Sequence, residues 1–149
     1  MPRVNLWGDN VKKLVIAVIV VLAVLGVLFI ALCLYAWERD GVTKNAEIVI
    51  GESAIFEQSD FEETRDVILE HFKGYINCEL IRLVYDEEFS EEEKRDVGYP
   101  DDFMVWYSDF QTGHSSSIGF SENSFVQEWK WVMRKSDDGE WQVISWGLG

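Results

Sequence analysis

The sequence predicts an α+β protein: one N-terminal transmembrane helix, then a helix packed on a curved antiparallel sheet. Three observations carry this. Residues 14–36 form a run of 23 residues with no charge and no proline. Phe61, Ile68 and Phe72 then fall on one side at helical spacing, with Leu69 beside them. The rest of the chain alternates aromatic and β-branched stretches with turn-forming Gly, Asp and Ser.

The apolar run comes first. At about 1.5 Å per residue such a helix is roughly 34 Å long, enough for a hydrocarbon core of about 30 Å. Valine and isoleucine are middling helix formers in water, but lipid leaves the backbone no other way to pair its polar groups. A cleavable signal peptide has a shorter apolar region, about 7–15 residues, followed by small residues. Here the run ends in Tyr35-Ala36-Trp37, a poor cleavage site. Leu32 stands before Cys33, where lipoprotein processing needs a small residue. The segment therefore reads as a retained signal anchor. Arg3, Lys12 and Lys13 precede it with only Asp9 against them, and Glu38, Arg39 and Asp40 follow. The positive-inside rule makes residues 1–13 a cytoplasmic N-terminus, 14–37 the single span and everything beyond it extracellular. Trp7, Tyr35 and Trp37 suit the two headgroup layers.

Charge is divided unevenly. Of 27 acidic residues only Asp9 precedes the anchor, and of 13 basic residues three do, which leaves 10 basic against 26 acidic outside, a net −16. Nucleic acid and anionic lipid both need cationic surfaces, so both are excluded as partners of this domain. A solvated acidic exterior accounts for the charge, and cationic partners are compatible with it. Cys33 in the span and Cys78 beyond it cannot meet, so no disulfide is expected. Seven tryptophans, five tyrosines and nine phenylalanines supply the core instead. This usage, without an N-x-S/T site, suits a bacterial surface protein.

The elements follow in order. Residues 38–58 read as a juxtamembrane linker with a short strand over 47–50, and 59–149 as the extracellular domain. Ser59 and Glu62 form a capping box for a helix over 60–73, which Gly74 ends. Residues 78–86 are a strand with apolar residues on both faces. The acidic stretch 87–96, with Ser90 and Glu93 spaced as a second capping box, predicts a short exposed helix. Residues 103–110 are a long strand and 111–124 a polar loop. Residues 125–135 and 141–146 pair as a hairpin around Ser136-Asp137-Asp138-Gly139. Regular pairing puts Trp129, Trp131 and Met133 on one face with Ile144 and Trp146, and Lys130, Arg134, Val132, Val143 and Trp141 on the other. A single helix across one face is the economical solution, with the aromatic face meeting Phe61, Ile68 and Phe72.

Over residues 57–149 the chain resembles uncharacterised membrane-anchored surface domains of Gram-positive bacteria. The matching residues are Phe72-Lys73-Gly74, Cys78-Glu79-Leu80, Tyr85-Asp86-Glu87, Ser108-Asp109-Phe110-Gln111-Thr112-Gly113, Trp129-Lys130-Trp131-Val132 with Arg134, Asp138-Gly139-Glu140-Trp141 and Trp146-Gly147. Such domains are similar to the cystatin-like, nuclear-transport-factor-like fold group, in which a helix rests in a curved sheet. The resemblance implies fold and location. It implies no activity, since that fold group hosts isomerases, dehydratases and binding modules alike.

Chemistry is sparse. His71 sits near the end of the first outer helix, where a polar tip is favourable. His114 neighbours Ser115, Ser116 and Ser117, but adjacency in sequence is not a triad and no G-x-S-x-G is present. Asp86-Glu87-Glu88 and Glu91-Glu92-Glu93 lack the D-x-D-x-D-G spacing of a calcium loop, and no His/Cys cluster suggests zinc. No metal and no cofactor is expected. One enzyme reading has a mechanism: Asp109 as a general base with Tyr107 and Tyr85 as hydrogen-bond donors, acting on a small apolar substrate. Exposed Trp106 or Trp141 would instead grip a glycan or a protein of the cell envelope. The sequence favours this non-catalytic binding or assembly role over the acid–base enzyme and over a purely structural envelope component.

Overall fold

The computed structural model describes residues 6–37, 40–114 and 119–148. The chain divides into two compact units, one around the N-terminal helix and one formed by everything after Glu38.

The first unit is α1, Leu6–Trp37. Within it Val11–Leu34 has a mean hydropathy of 3.4 and none of its surface is buried, so the helix is long and apolar enough to cross a membrane. Arg3, Glu38 and Arg39, and the side chains of Trp7, Tyr35 and Trp37, lie outside the described residues.

The second unit is α+β. Its elements run β1 (Glu47–Ile50), α2 (Gln58–Phe72), β2 (Cys78–Tyr85), α3 (Glu87–Val97), β3 (Met104–Thr112), β4 (Phe125–Lys135) and β5 (Trp141–Gly147). The five strands form one sheet in the order β1-β2-β3-β4-β5. The sheet is mixed rather than antiparallel, because β1 pairs with β2 in parallel. The α2 helix makes the crossover that such a pairing requires. Nor does the segment before α2 behave as a free linker. The Val42 amide donates to Cys78 O at 2.9 Å and its carbonyl accepts from Leu80 N at 2.8 Å, so the sheet is engaged before β1 begins.

Both helices of this unit start earlier than expected. The N-cap of α2 is Glu57, not Ser59, and its amide donates to Asp60 Oδ2 at 3.1 Å. The N-cap of α3 is Asp86, whose carboxylate accepts from Phe89 N at 2.9 Å, and Gly98 at φ 83° closes the helix. Ser90, expected as that cap, is fully buried. Its Oγ accepts from Val105 N at 3.1 Å, filling the place beside β3 where β2 has ended.

The two helices lie on opposite faces of the sheet, so α3 is a second covering layer and not an exposed appendage. On the inner face α2 buries Phe61, Thr64, Ile68 and Phe72 against Leu80, Leu83, Met104, Trp106, Phe110, Trp131 and Met133. On the outer face a smaller cluster of Phe103, Val105 and Val132 is covered by Phe89 and Tyr99. Lys130 Nζ reaches Glu93 Oε2 at 2.6 Å and pins α3 to β4.

Three strands carry a bulge. The pairing shifts between Leu80 and Arg82 in β2, between Ser108 and Phe110 where β3 meets β4, and between Val132 and Met133 where β4 meets β5. The last overturns the regular hairpin facing. Met133 pairs with Val143 and Val132 with Ser145, which leaves Ile144 as the extra residue. Trp141 and Val143 therefore join Trp131, Met133 and the core, and Ile144 does not.

Candidate functional site

The residues singled out for catalysis are not assembled. In β3, Met104, Trp106 and Phe110 face α2, so Tyr107 and Asp109 face the other way. Tyr85 belongs to the α2 face, 4.7 Å from the Phe61 ring, and its hydroxyl donates to Glu87 Oε2. The sheet thus separates Tyr85 from Asp109. Asp109 faces the bulge in β4, where its Oδ1 accepts from Glu128 N at 3.0 Å. Glu128 has φ 55°, and the carboxylate holds that left-handed residue in place. Tyr107 packs its ring 4.8 Å from Phe89, and burial, with Asp86, Asp109 and Glu128 nearby, raises its pKa despite Arg82. Burial likewise raises Tyr85, to which the bond with Glu87 adds.

The tryptophans proposed as ligand platforms are interior. Trp106 is fully buried and Trp141 nearly so. Trp141 Nε1 donates to Asp60 Oδ1 at 3.0 Å, a core contact and not a free stacking surface. Of the five tryptophans whose side chains are described, four are buried and only Trp146 is open, at 48% exposure. The inward facing of Trp141 follows from the extra residue in β5, which nothing in the sequence marked.

The acidic stretch is engaged in holding α3. Asp86 caps the helix, Glu87 takes the Tyr85 hydroxyl, Glu91 Oε1 lies 2.6 Å from Lys94 Nζ, and Glu93 holds Lys130. Among the described residues no three His, Cys, Asp or Glu side chains converge as a metal site. His114 Nδ1 lies 3.0 Å from Glu122 Oε2, while Ser115, Ser116 and Ser117 fall outside the described residues. His71 packs 4.7 Å from the Trp146 ring and 5.6 Å from Trp131, and burial lowers its pKa. It acts as a neutral ring rather than as a cation at the helix end. Cys78 is 2% exposed, and burial pushes its thiol up to about 11, which keeps it unreactive.

Two clefts lie near α3. One, of about 470 Å³, is lined by Glu91, Lys94, Arg95, Tyr99 and Asp101. Its deepest group, the Lys94 ammonium, is already held by Glu91 and by Asp101 O at 3.0 Å. The other, of about 150 Å³, runs between α3 and β5 and includes Glu93, Val97, Tyr99, Val132, Trp146 and Leu148. It is too small for an ordinary small-molecule site, which takes about 300–1,000 Å³.

That groove borders the most distinctive surface of the domain. β5 is a terminal strand of the sheet, and Trp141–Gly147 contains no charge and no proline. Ile144, Trp146 and Leu148 are exposed at 37%, 48% and 61%, and Val97 at 54% stands across the groove. Unpaired edges are usually blunted by charge, proline or shortness, and β5 has none of these. β1, at the other edge, has four residues and carries Glu47. Among the described residues β5 has no strand beyond it, so an added strand would have the α3 groove on one face and the Trp146–His71 stack on the other. No protein-family model, no curated protein and no solved structure matches this chain.

Proposed function

We propose that this chain is a single-pass membrane protein of the bacterial cell envelope whose outer domain is a non-catalytic binding or assembly module. In this reading α1 spans the bilayer with its N-terminus in the cytoplasm, and the α+β domain lies outside. The domain is a surface module of the Gram-positive, membrane-anchored kind, with a helix resting in a curved sheet as in cystatin-like folds. Binding proceeds by strand addition at β5, which supplies main-chain hydrogen bonds for affinity and flanking apolar contacts for choice of partner.

The observation that carries the reading is the uncharged open edge of β5 beside a shallow apolar groove, in a domain whose candidate catalytic residues are divided between two sheet faces. The test has two parts. Protease added to intact cells should remove the outer domain and leave a membrane-protected fragment. A photo-reactive benzophenone side chain placed at position 145 of the full chain should give a protein adduct on illumination in cells. A domain untouched by protease refutes the topology, and absence of any adduct refutes docking at β5.

A further inference from the structure

We infer that the strand added to β5 is β5 of a second copy of this chain, giving a two-fold dimer with one continuous sheet; this rests on the docking role of β5 proposed above. Charge argues for it. Residues 125–149, which hold β4 and β5, carry Lys130, Arg134 and Lys135 against Glu128, Asp137, Asp138 and Glu140, so the hairpin is within one charge of neutral. The preceding outer residues, 38–124, hold 7 basic against 22 acidic groups and carry −15 of the net −16. Two copies therefore repel one another over most of their surfaces and least across this hairpin. Within the strand itself there is no charge to meet its own image. A cationic partner, by contrast, would be drawn to the acidic remainder and not to the neutral edge.

Symmetry adds a second argument. A two-fold interface must be self-complementary, residue i meeting j while j meets i. Antiparallel pairing of identical strands meets this condition. Full overlap of the seven-residue strands places Ile144 at the axis and Trp141 opposite Gly147 of the second copy. A seam of this length falls short of the roughly 1,200–2,000 Å² of a stable soluble interface. Confinement of both copies to one bilayer would raise their effective concentration and compensate.

The test uses the full chain in lipid vesicles. Chemical cross-linking should trap a dimer for the unsubstituted chain. Ile144→Lys and Ile144→Glu should each remove at least nine-tenths of it, because like charges then meet at the axis. Mixing the two variants before reconstitution should restore a heterodimer. Ser145→Lys and Ser145→Glu, at an exposed neighbouring position, give a second pair if the Ile144 variants lose their circular dichroism. A dimer that survives both charge substitutions overturns the inference, since another surface or α1 must then hold it, and so does absence of any dimer. The photo-adduct at position 145 separates the two levels. A mass of two chains supports a second copy. An adduct of another mass overturns the second copy while leaving β5 a docking edge, and no adduct removes both.

Discussion

Asp60 ties three parts of the α+β unit together. Its carboxylate sits at the start of α2, accepts from the Trp141 indole of β5 at 3.0 Å and from the Glu57 amide, and lies 2.7 Å from Lys135 Nζ at the end of β4. Burial alone would raise its pKa, but the bonds from Lys135, Trp141 and Glu57 outweigh that and hold it below 3.8. A depressed folded pKa gives stability that is full above the unfolded value and is lost as pH falls through the folded one. Asp60→Asn should therefore lower stability at pH 7 by about 1–3 kcal/mol. In urea melts the gap to the unsubstituted chain should narrow only below pH 3.8, and a gap that stays constant down to pH 2 contradicts the assignment. His71 predicts an effect at milder pH. Its folded pKa lies below 6.5 because burial under Trp146 disfavours the charged ring. Between that value and 6.5 the unfolded chain binds more protons, so stability rises with pH across this window and levels off above it. His71→Phe keeps a ring against Trp146 and should flatten that slope, as read from melting temperatures between pH 5 and 7.

At the scale of elements, three bulges share one consequence: Leu80 and Leu83, Val126 and Trp129, and Val143 and Trp146, the last against His71 of α2, each place side chains three residues apart on the α2 face. A strict period of two would have turned one of each pair outward. This is why strand positions and the hairpin turn were legible in the sequence while the facing of β5 was not. Long apolar runs fix a strand, but one extra residue is invisible to periodicity and shifts every side chain beyond it. The same limit hid the true helix starts. Ser59 and Ser90 have good capping chemistry locally, yet Asp60 is claimed by β4 and β5, and Ser90 by the unpaired Val105 amide. Tertiary demand decided both. The candidate site suffered most, since a Tyr85–Asp109 pair depended on which face each strand residue took. A close approach just before β1 gives a direct test of an element junction. A Cβ on Gly41 would lie 2.1 Å from Phe72 O, and the Gly41 amide donates to Lys73 O at 3.0 Å. Gly41→Ala must push the chain away from the end of α2 and should cost about 1–3 kcal/mol. An unchanged denaturation midpoint would show that this junction yields freely.

For the whole molecule the question of chain organisation is where the α+β unit begins. The sequence places the start at residue 59, because the stretch before it precedes the first capping box and amphipathic helix. Packing argues for about residue 40. β1 supplies a parallel neighbour to β2 over four residue pairs, Val42 adds two further main-chain bonds, and Ile48, Ile50 and Phe56 pack on the core. Removing them would leave β2 as a bare edge and strip the inner face of Tyr85, whose ring lies 6.3 Å from Phe56. Burial of each large apolar side chain is worth about 1.5–3 kcal/mol, and a domain of this size has only about 5–15 kcal/mol in total. Three such losses together with the main-chain bonds are enough to exhaust it. A fragment of residues 40–149 should therefore unfold cooperatively, with the near-ultraviolet dichroism of fixed tryptophans. A fragment of residues 59–149 should lack that signal and melt without a transition. If the shorter fragment melts within a few degrees of the longer one, the parallel strand and its lead-in are ornaments on a self-sufficient antiparallel core, and the sequence-based boundary is the correct one.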